Sequence, residues 1–512
     1  MAAALTTSEL LRSLQLGSEV AESDDELQEH FVTTAAFHEI VNDETDLILG
    51  PKGSGKTAIF RIIADGDFDI PTLQDVDVVP AFNTSGDVLF QQFRDDIGTV
   101  SEPQLRDVWT AYILTLVGWH LLNKYEGDKF DTLRHAMAAA GLPATMAVTK
   151  PKSAWQAMTK ILNRFLYPDA VEGKVGLGEG LPNFETRAEY PTAPLSRDPD
   201  GRTPSLDVEL VVQCITDCLQ SLNRRCWVIF DRLDEAFEDD PEFERLALRA
   251  LMRAHSNLVS YDKRLKTKLF LRSDILDRVT AEKGFVNITH LRSMTISWAR
   301  PHILDMIVKR LVLSKSALAF LQLKGVDTQA QVIRSMMAPV DEGLRRTKKS
   351  DSEPRIVDPL NYLIEKSTDA TLAFNPRNIV SMMRSARALE LTACAVNNPV
   401  LGAHSPPPIT QNSLTRAWQD ISRKRLHDTL YAEHNSLRPV FELFTNGPQG
   451  FDRELLGARL NPIVPVEDHP RVIRELQYCG FMRMTGRNLF RIADLYRPAL
   501  GLNPHTVRSA SQ

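Results

Sequence analysis

The sequence predicts an α/β protein: a parallel sheet flanked by helices, then a helical domain and a small mixed terminal module. Three observations predict it. Between residues 41 and 300, apolar runs of strand length alternate with helical periodicity, the pattern of parallel βαβ units. A glycine-rich turn joins the first of those strands to an apolar helix. From Pro301 onward the pattern is mostly helical.

Each element follows from its residues. Residues 1–40 are helical in pattern and acidic around Glu22 to Glu29, and form an N-terminal lead. Asp46-Leu-Ile-Leu-Gly50 reads as a short buried strand, 57–63 as a helix, 76–82 as a strand, and 105–124 and 153–165 as helices. Residues 168–204 are poor in regular pattern and rich in proline and turn residues, so they read as an exposed insertion. Residues 206–222 are apolar at helical spacing. Cys226-Trp-Val-Ile-Phe230 is a continuous apolar run, the mark of a strand covered on both faces. A helix over 243–259 and a strand over 268–271 complete this region, giving a core over 41–300. Helices over 302–313, 329–337, 359–366 and 376–391 make a lid domain over 301–396. Residues 397–408, with Pro399 and Pro406 to Pro408, read as a linker. A helix over 410–432 and a compact module over 437–500 complete a region spanning 409–502.

Composition bounds the function. The 512 residues suit two to four domains, and a formal charge of −6 argues against coating nucleic acid through net charge. Hydrophobic content of 43% and charged content of 25% exclude a wholly disordered, collagenous or membrane-spanning chain. The uncharged run 108–122 is shorter than the ~20 residues of a membrane span and reads as a buried core helix. Five scattered cysteines make no disulfide framework, and Cys214 and Cys218, one helical turn apart, read as small core residues. No basic-then-apolar leader opens the sequence, so a cytoplasmic setting is expected.

The chemistry is carried by Gly50-Pro-Lys-Gly-Ser-Gly-Lys-Thr57, which fits the phosphate-binding P-loop G-x-x-x-x-G-K-[ST] between a strand and a helix. The backbone of Gly50, Pro51, Lys52, Gly53, Ser54 and Gly55 would cradle phosphates, and the following helix adds its positive end. Lys56 is placed to meet the β- and γ-phosphates, and Thr57 offers its hydroxyl to Mg²⁺. The strand ending at Phe230 runs into Asp231, the candidate second Mg²⁺ ligand, with a helix cap as its ordinary alternative. Of Asp234 and Glu235, one is expected to polarise the attacking water. Arg272, ending the next strand, is either a sensor of the γ-phosphate or the partner of a nearby acid. Arg377, in Phe374-Asn-Pro-Arg-Asn-Ile379 at a helix start, is a candidate second sensor or a surface arginine.

Together these residues resemble the P-loop NTPases of the AAA/STAND kind, which include the NACHT-type signalling switches. Asp231-x-x-Asp-Glu235 resembles the NACHT Walker B, D-G-x-D-E, with Arg232 in the glycine's place. The chain is also similar to a bacterial P-loop ATPase family with an acidic lead, a G-x-K-G-S-G-K-T loop, a D-x-L-D-E Walker B and a late L-Y-R-x-A-L-G-L segment. These correspond here to residues 22–31, 50–57, 231–235 and Leu495-Tyr-Arg-Pro-Ala-Leu-Gly-Leu502. The resemblance implies an ATPase core, a helical lid and a terminal module, in a setting of bacterial (antiviral) defence or signalling.

In that module, helices over 437–444, 451–460 and 471–479 precede a hairpin over 481–492, which describes a winged helix. Nine arginines against eight acids over 431–500 leave only a weak net charge, but Arg471, Arg474, Arg483, Arg487 and Arg491 gather near the third helix and wing. Both regulatory packing and DNA contact fit. The sequence therefore favours a Mg²⁺-dependent ATPase switch, with a homo-oligomer or effector protein as partner. The alternative is an ATP-regulated DNA clamp or loader; a nucleotide-binding scaffold and a small-molecule kinase are further readings. Asn123-Lys124-Tyr125-Glu126 lacks the aspartate of a guanine-reading N-K-x-D, which favours ATP.

Overall fold

The computed structural model describes residues 5–66, 69–81, 101–142, 144, 208–233, 241–280, 291–346, 352–486 and 489–508. The expected helix over 153–165, the insertion 168–204, Phe82, Asp234, Glu235 and Arg487 lie outside them. The chain divides into two compact units, one of Ala35–Pro51 with Ile59–Thr295, the other of Met1–Thr34, Lys52–Ala58 and Ile296–Gln512.

The first unit is built on five parallel strands, β1 (Leu47–Gly50), β2 (Val76–Pro80), β3 (Arg225–Phe230), β4 (Leu265–Arg272) and β5 (Ser293–Thr295), in the order β2-β3-β4-β1-β5. This is the helix-flanked parallel sheet that the alternating pattern predicts. Cys226 to Phe230 are each at most 1% exposed, as a centrally covered strand requires. The helix Glu102–Lys124 buries most of its circumference, which explains the long uncharged run. Trp109 and Tyr112 set their rings against Phe230, and Trp109 Nε1 donates to the Ala247 carbonyl at 3.0 Å, tying this helix to Pro241–Tyr261. Cys214 and Cys218 are buried on the helix Glu209–Leu222, as small core residues. Among the described residues, no helix is long and apolar enough to cross a membrane.

Strand β4 is longer than its apolar stretch because two lysines share one face of it. Lys268 is fully buried and donates to Asp43 at 2.6 Å, to the Thr45 carbonyl at 2.6 Å and to Asp46 at 3.0 Å, using all three ammonium hydrogens. It also lies 4.4 Å from the Trp227 ring centre. Lys266 pairs with Asp43 at 2.5 Å, and Arg292 holds Asp46 through two bonds of 2.8 and 2.7 Å. Burial pushes the Asp46 carboxyl up, but the Arg292 bonds and the Lys268 charge outweigh it and hold the group at about 2. Burial also drives the nearby His255 down to about 4, so this imidazole is neutral, with Nδ1 2.7 Å from the Thr267 hydroxyl.

In the second unit, the helix Thr7–Ser13 opens with a reciprocal Thr6/Glu9 capping box. Leu10, Leu11, Leu14 and Leu16 join the same apolar core as Ile303, Ile307 and Leu311 of the helix Arg300–Val312. The helices Lys315–Leu323, Gln329–Met336, Pro359–Ser367 and Pro376–Ala393 follow. Between them is an antiparallel pair, β6 (Val340–Arg346) and β7 (Ser352–Val357), in a stretch of the mostly helical region for which the sequence pattern predicts no element. The proline-rich stretch expected as a linker is fastened: Thr7 N donates to the Pro399 carbonyl at 3.0 Å and Leu401 N to the Leu5 carbonyl at 2.8 Å.

The expected helix over 410–432 is α-helical over Gln411–Arg425 and then loosens into a π turn over Leu426–Tyr431. The terminal region runs helix Arg438–Glu442, β8 (Pro448–Phe451), helix Arg453–Leu460, helix His469–Tyr478, β9 (Met482–Thr485), β10 (Leu489–Ile492) and β11 (Asn503–Arg508), with sheet order β11-β8-β10-β9. Phe451 therefore ends a strand rather than starting a helix, because Asp452 caps the helix by accepting from Leu455 N at 2.8 Å. Phe441, Phe444, Phe451 and Phe481 fill the core of this region.

Candidate nucleotide-binding site

The P-loop begins where β1 ends. Leu47 and Ile48 are fully buried, so the chain emerges from the sheet at a fixed point, Gly50, which pairs with Arg272 at the end of β4. Gly53 and Gly55 then take φ of +83° and +97°, a region that costs any other L-residue about 1–2 kcal/mol. At Gly53 there is also no room: a Cβ would stand 2.6 Å from Asn375 Oδ1 and 3.1 Å from Arg377 Cβ. The helix Lys56–Ala64 starts directly after the turn, so its N-terminal end, the positive end of the helix dipole, adjoins the loop. Lys56 and Thr57 are half-buried on that first turn.

Three residues from far along the chain hold the loop. Trp298 Nε1 donates to the Ser54 carbonyl at 2.8 Å. Asn375 Nδ2 donates to the Lys52 carbonyl at 3.0 Å, while its Oδ1 caps the helix Pro376–Ala393 by accepting from Asn378 N. Lys52 Nζ meets Glu433 at 2.8 Å, an exposed pair worth about 0–1 kcal/mol. Arg377 is thus carried beside Gly53 by the capped start of its helix. The cap itself is legible in Asn375-Pro-Arg-Asn378, but the roles of Trp298 and Glu433 carry no local signal.

The ends of β3 and β4 present the remaining candidates on the same edge of the sheet as the end of β1, since all three strands are parallel. Asp231 follows directly after β3 and is half-buried. Arg232 has φ of +56°, so the position where the NACHT pattern carries glycine takes a glycine-favoured conformation here. Arg272 grips Asp274 through two bonds of 3.0 and 2.9 Å, the acid-partner arrangement, with Ser273 and Asp274 opening the helix Ser273–Thr280. Burial raises the Asp274 carboxyl, but Arg272 outweighs it and keeps the group ionised below its usual range.

The donors suit the expected ligands. Thr57 and Asp231 offer hard oxygen atoms of the kind Mg²⁺ takes. The Ser54 hydroxyl is buried with no hydrogen-bond partner among the described residues, an orphan that a phosphate oxygen can satisfy.

No protein-family signature matches the sequence, and no curated protein matches it. Among solved structures, the chain is similar to a Walker-type ATPase of Pyrococcus abyssi, with a TM-score of 0.40, 10% identity, and coverage of 94% of this chain and 97% of that one. It is also similar to the ORC1 protein of Aeropyrum pernix, solved in complex with DNA, with a TM-score of 0.33, 12% identity, and coverage of 94% and 96%.

Proposed function

We propose that this chain is a cytoplasmic, Mg²⁺-dependent ATPase switch of the AAA/STAND kind, working in bacterial defence or signal transduction. One observation carries the reading: a P-loop with left-handed Gly53 and Gly55 stands between a buried parallel strand and a helix N-terminus. Lys56 neutralises charge on the β- and γ-phosphates, and Thr57 and Asp231 hold Mg²⁺. When bound, Mg²⁺ offsets the charge that develops on the transferred phosphoryl group. Asp234 or Glu235 orients the attacking water, while Arg272 and Arg377 respond to the γ-phosphate. For Arg272, that requires exchanging Asp274 for phosphate.

Loss of γ-phosphate contacts on hydrolysis then biases the lid and terminal domains between two arrangements. A switch turns over slowly without its partner, below the ~1–100 s⁻¹ of kinases. The deciding experiment is steady-state ATP hydrolysis by the wild type and Lys56→Ala, each with and without duplex DNA. Activity lost in the variant supports the ATPase. Equal activity in both removes the reading.

A second reading, an ATP-regulated DNA-binding protein, is favoured by the terminal hairpin. Its order of helix, strand, two helices and hairpin is that of a winged helix. Arg483 and Arg491 are directly opposed across β9 and β10, a like-charge pair that an anion would relieve. Against it, Arg471 is spent on Asp468 and Glu475. Duplex binding with a steep salt dependence that weakens in Arg483→Ala would establish this reading.

A further inference from the structure

A nest of amides is only half of the loop's peptide groups. A trans peptide sets its C=O and N–H on opposite sides, and among the described residues no peptide bond is cis. The Lys52 carbonyl shares its peptide with the N–H of Gly53, and the Ser54 carbonyl shares its peptide with the N–H of Gly55. Glycine tolerates many peptide orientations, so the loop sequence alone does not select one. The selection comes from elsewhere: Asn375 takes the first carbonyl at 3.0 Å and Trp298 the second at 2.8 Å. Each donor is apt. Asn375 Oδ1 is committed to its helix cap, which leaves Nδ2 aimed at the loop. The Trp298 indole has a single N–H, and its ring also covers Gly55, where a Cβ would stand 3.7 Å from Cζ2.

We propose that Asn375 and Trp298 are positioning residues for nucleotide phosphate. By holding the two carbonyls on one side, they present the Gly53 and Gly55 amides on the other, ready for an anionic oxygen. Because Asn375 also caps the helix that carries Arg377, the same side chain ties the loop to the start of that helix. The inference rests on the nucleotide reading above. It concerns affinity for the phosphates rather than the chemical step.

The test uses the full chain and Mg²⁺-ATP. Trp298→Phe keeps a ring and removes the N–H. Asn375→Asp keeps the capping oxygen and replaces the donor with an acceptor, and Asp caps as well as Asn. Each variant should raise the ATP KM and Kd about tenfold, the effect of one hydrogen bond of ordinary worth, while kcat stays within about twofold. Circular dichroism and the melting midpoint should match the wild type; a variant that loses its fold leaves the other to decide. The intrinsic tryptophan fluorescence change on adding ATP should disappear in Trp298→Phe. ATP binding that is normal in wild type, lost in Lys56→Ala and unchanged in folded Trp298→Phe or Asn375→Asp overturns this inference alone. A wild type that fails to bind ATP, or binding that survives Lys56→Ala, overturns the nucleotide reading and this inference with it.

Discussion

Arg232 holds a left-handed conformation at φ +56°, one residue past the candidate metal carboxylate. Such a conformation strains a non-glycine residue by about 1–2 kcal/mol, while glycine gives back part of that through the entropy of its unfolded chain. Arg232→Gly is therefore expected to leave the fold about as stable or more so by up to ~1 kcal/mol, read from denaturant midpoints. A clear loss of stability would mean the arginine side chain matters more than its backbone. His255 offers a second residue-scale prediction. Its folded value lies at about 4, below the ordinary 6.5, so the unfolded chain binds the proton first as pH falls. The stability it contributes is complete above about 6.5 and is lost as pH falls toward 4. Between pH 7 and 5 the loss from this group should be about 2 kcal/mol, and His255→Gln should flatten it in urea titrations at the two pH values. The carboxylates that titrate around it, Asp46 among them, act only below this window.

At the scale of the element, β4 shows how a strand can look shorter in sequence than in space. Leu265-Lys-Thr-Lys-Leu-Phe-Leu-Arg272 carries three consecutive polar residues in its first half, and only the apolar half reads as buried. The lysines are buried because Asp43, Asp46 and the Thr45 carbonyl meet them. Lys268→Met should cost about 3–5 kcal/mol, since it leaves the buried Asp46 and the half-buried Asp43 short of a cation. Asp46→Asn combined with Lys268→Met should recover part of that loss, measured as a double-mutant cycle.

The strand–loop–helix around residues 50–57, the central strand β3 and most lid helices were legible because each is signalled within a few residues. The strands that escaped notice lack such a signal. β5 is three residues long, β7 carries Pro354, and β11 carries Pro504, which restricts it to limited pairing. Trp298, Asn375 and Glu433 were hidden for another reason. Their partners in the loop lie 244, 323 and 381 residues away, and no local periodicity encodes such contacts.

For the whole molecule, ligand linkage gives the broadest test. If the P-loop takes Mg²⁺-ATP, a nucleotide concentration of about 100 times Kd should stabilise the folded chain by about 2.7 kcal/mol. The melting midpoint should rise accordingly in wild type and stay fixed in Lys56→Ala. The net charge of −6 makes non-specific attraction to DNA weak, so DNA binding, if it occurs, should depend on the local Arg483/Arg491 pair. Its salt slope should then fall by about one in Arg483→Ala, measured by anisotropy on a labelled duplex.

The loop's bracing also sets an order of events during synthesis. Ser54 leaves the ribosome long before its partner Trp298, which follows 244 residues later. At about 5–20 residues per second, the nascent loop waits roughly 10–50 s for that indole, and longer for Asn375. A chain cut short before residue 298 is therefore born with a complete glycine-rich motif and an unbraced one. Translation pausing or truncation in that interval should yield material that carries the nucleotide signature yet holds ATP poorly.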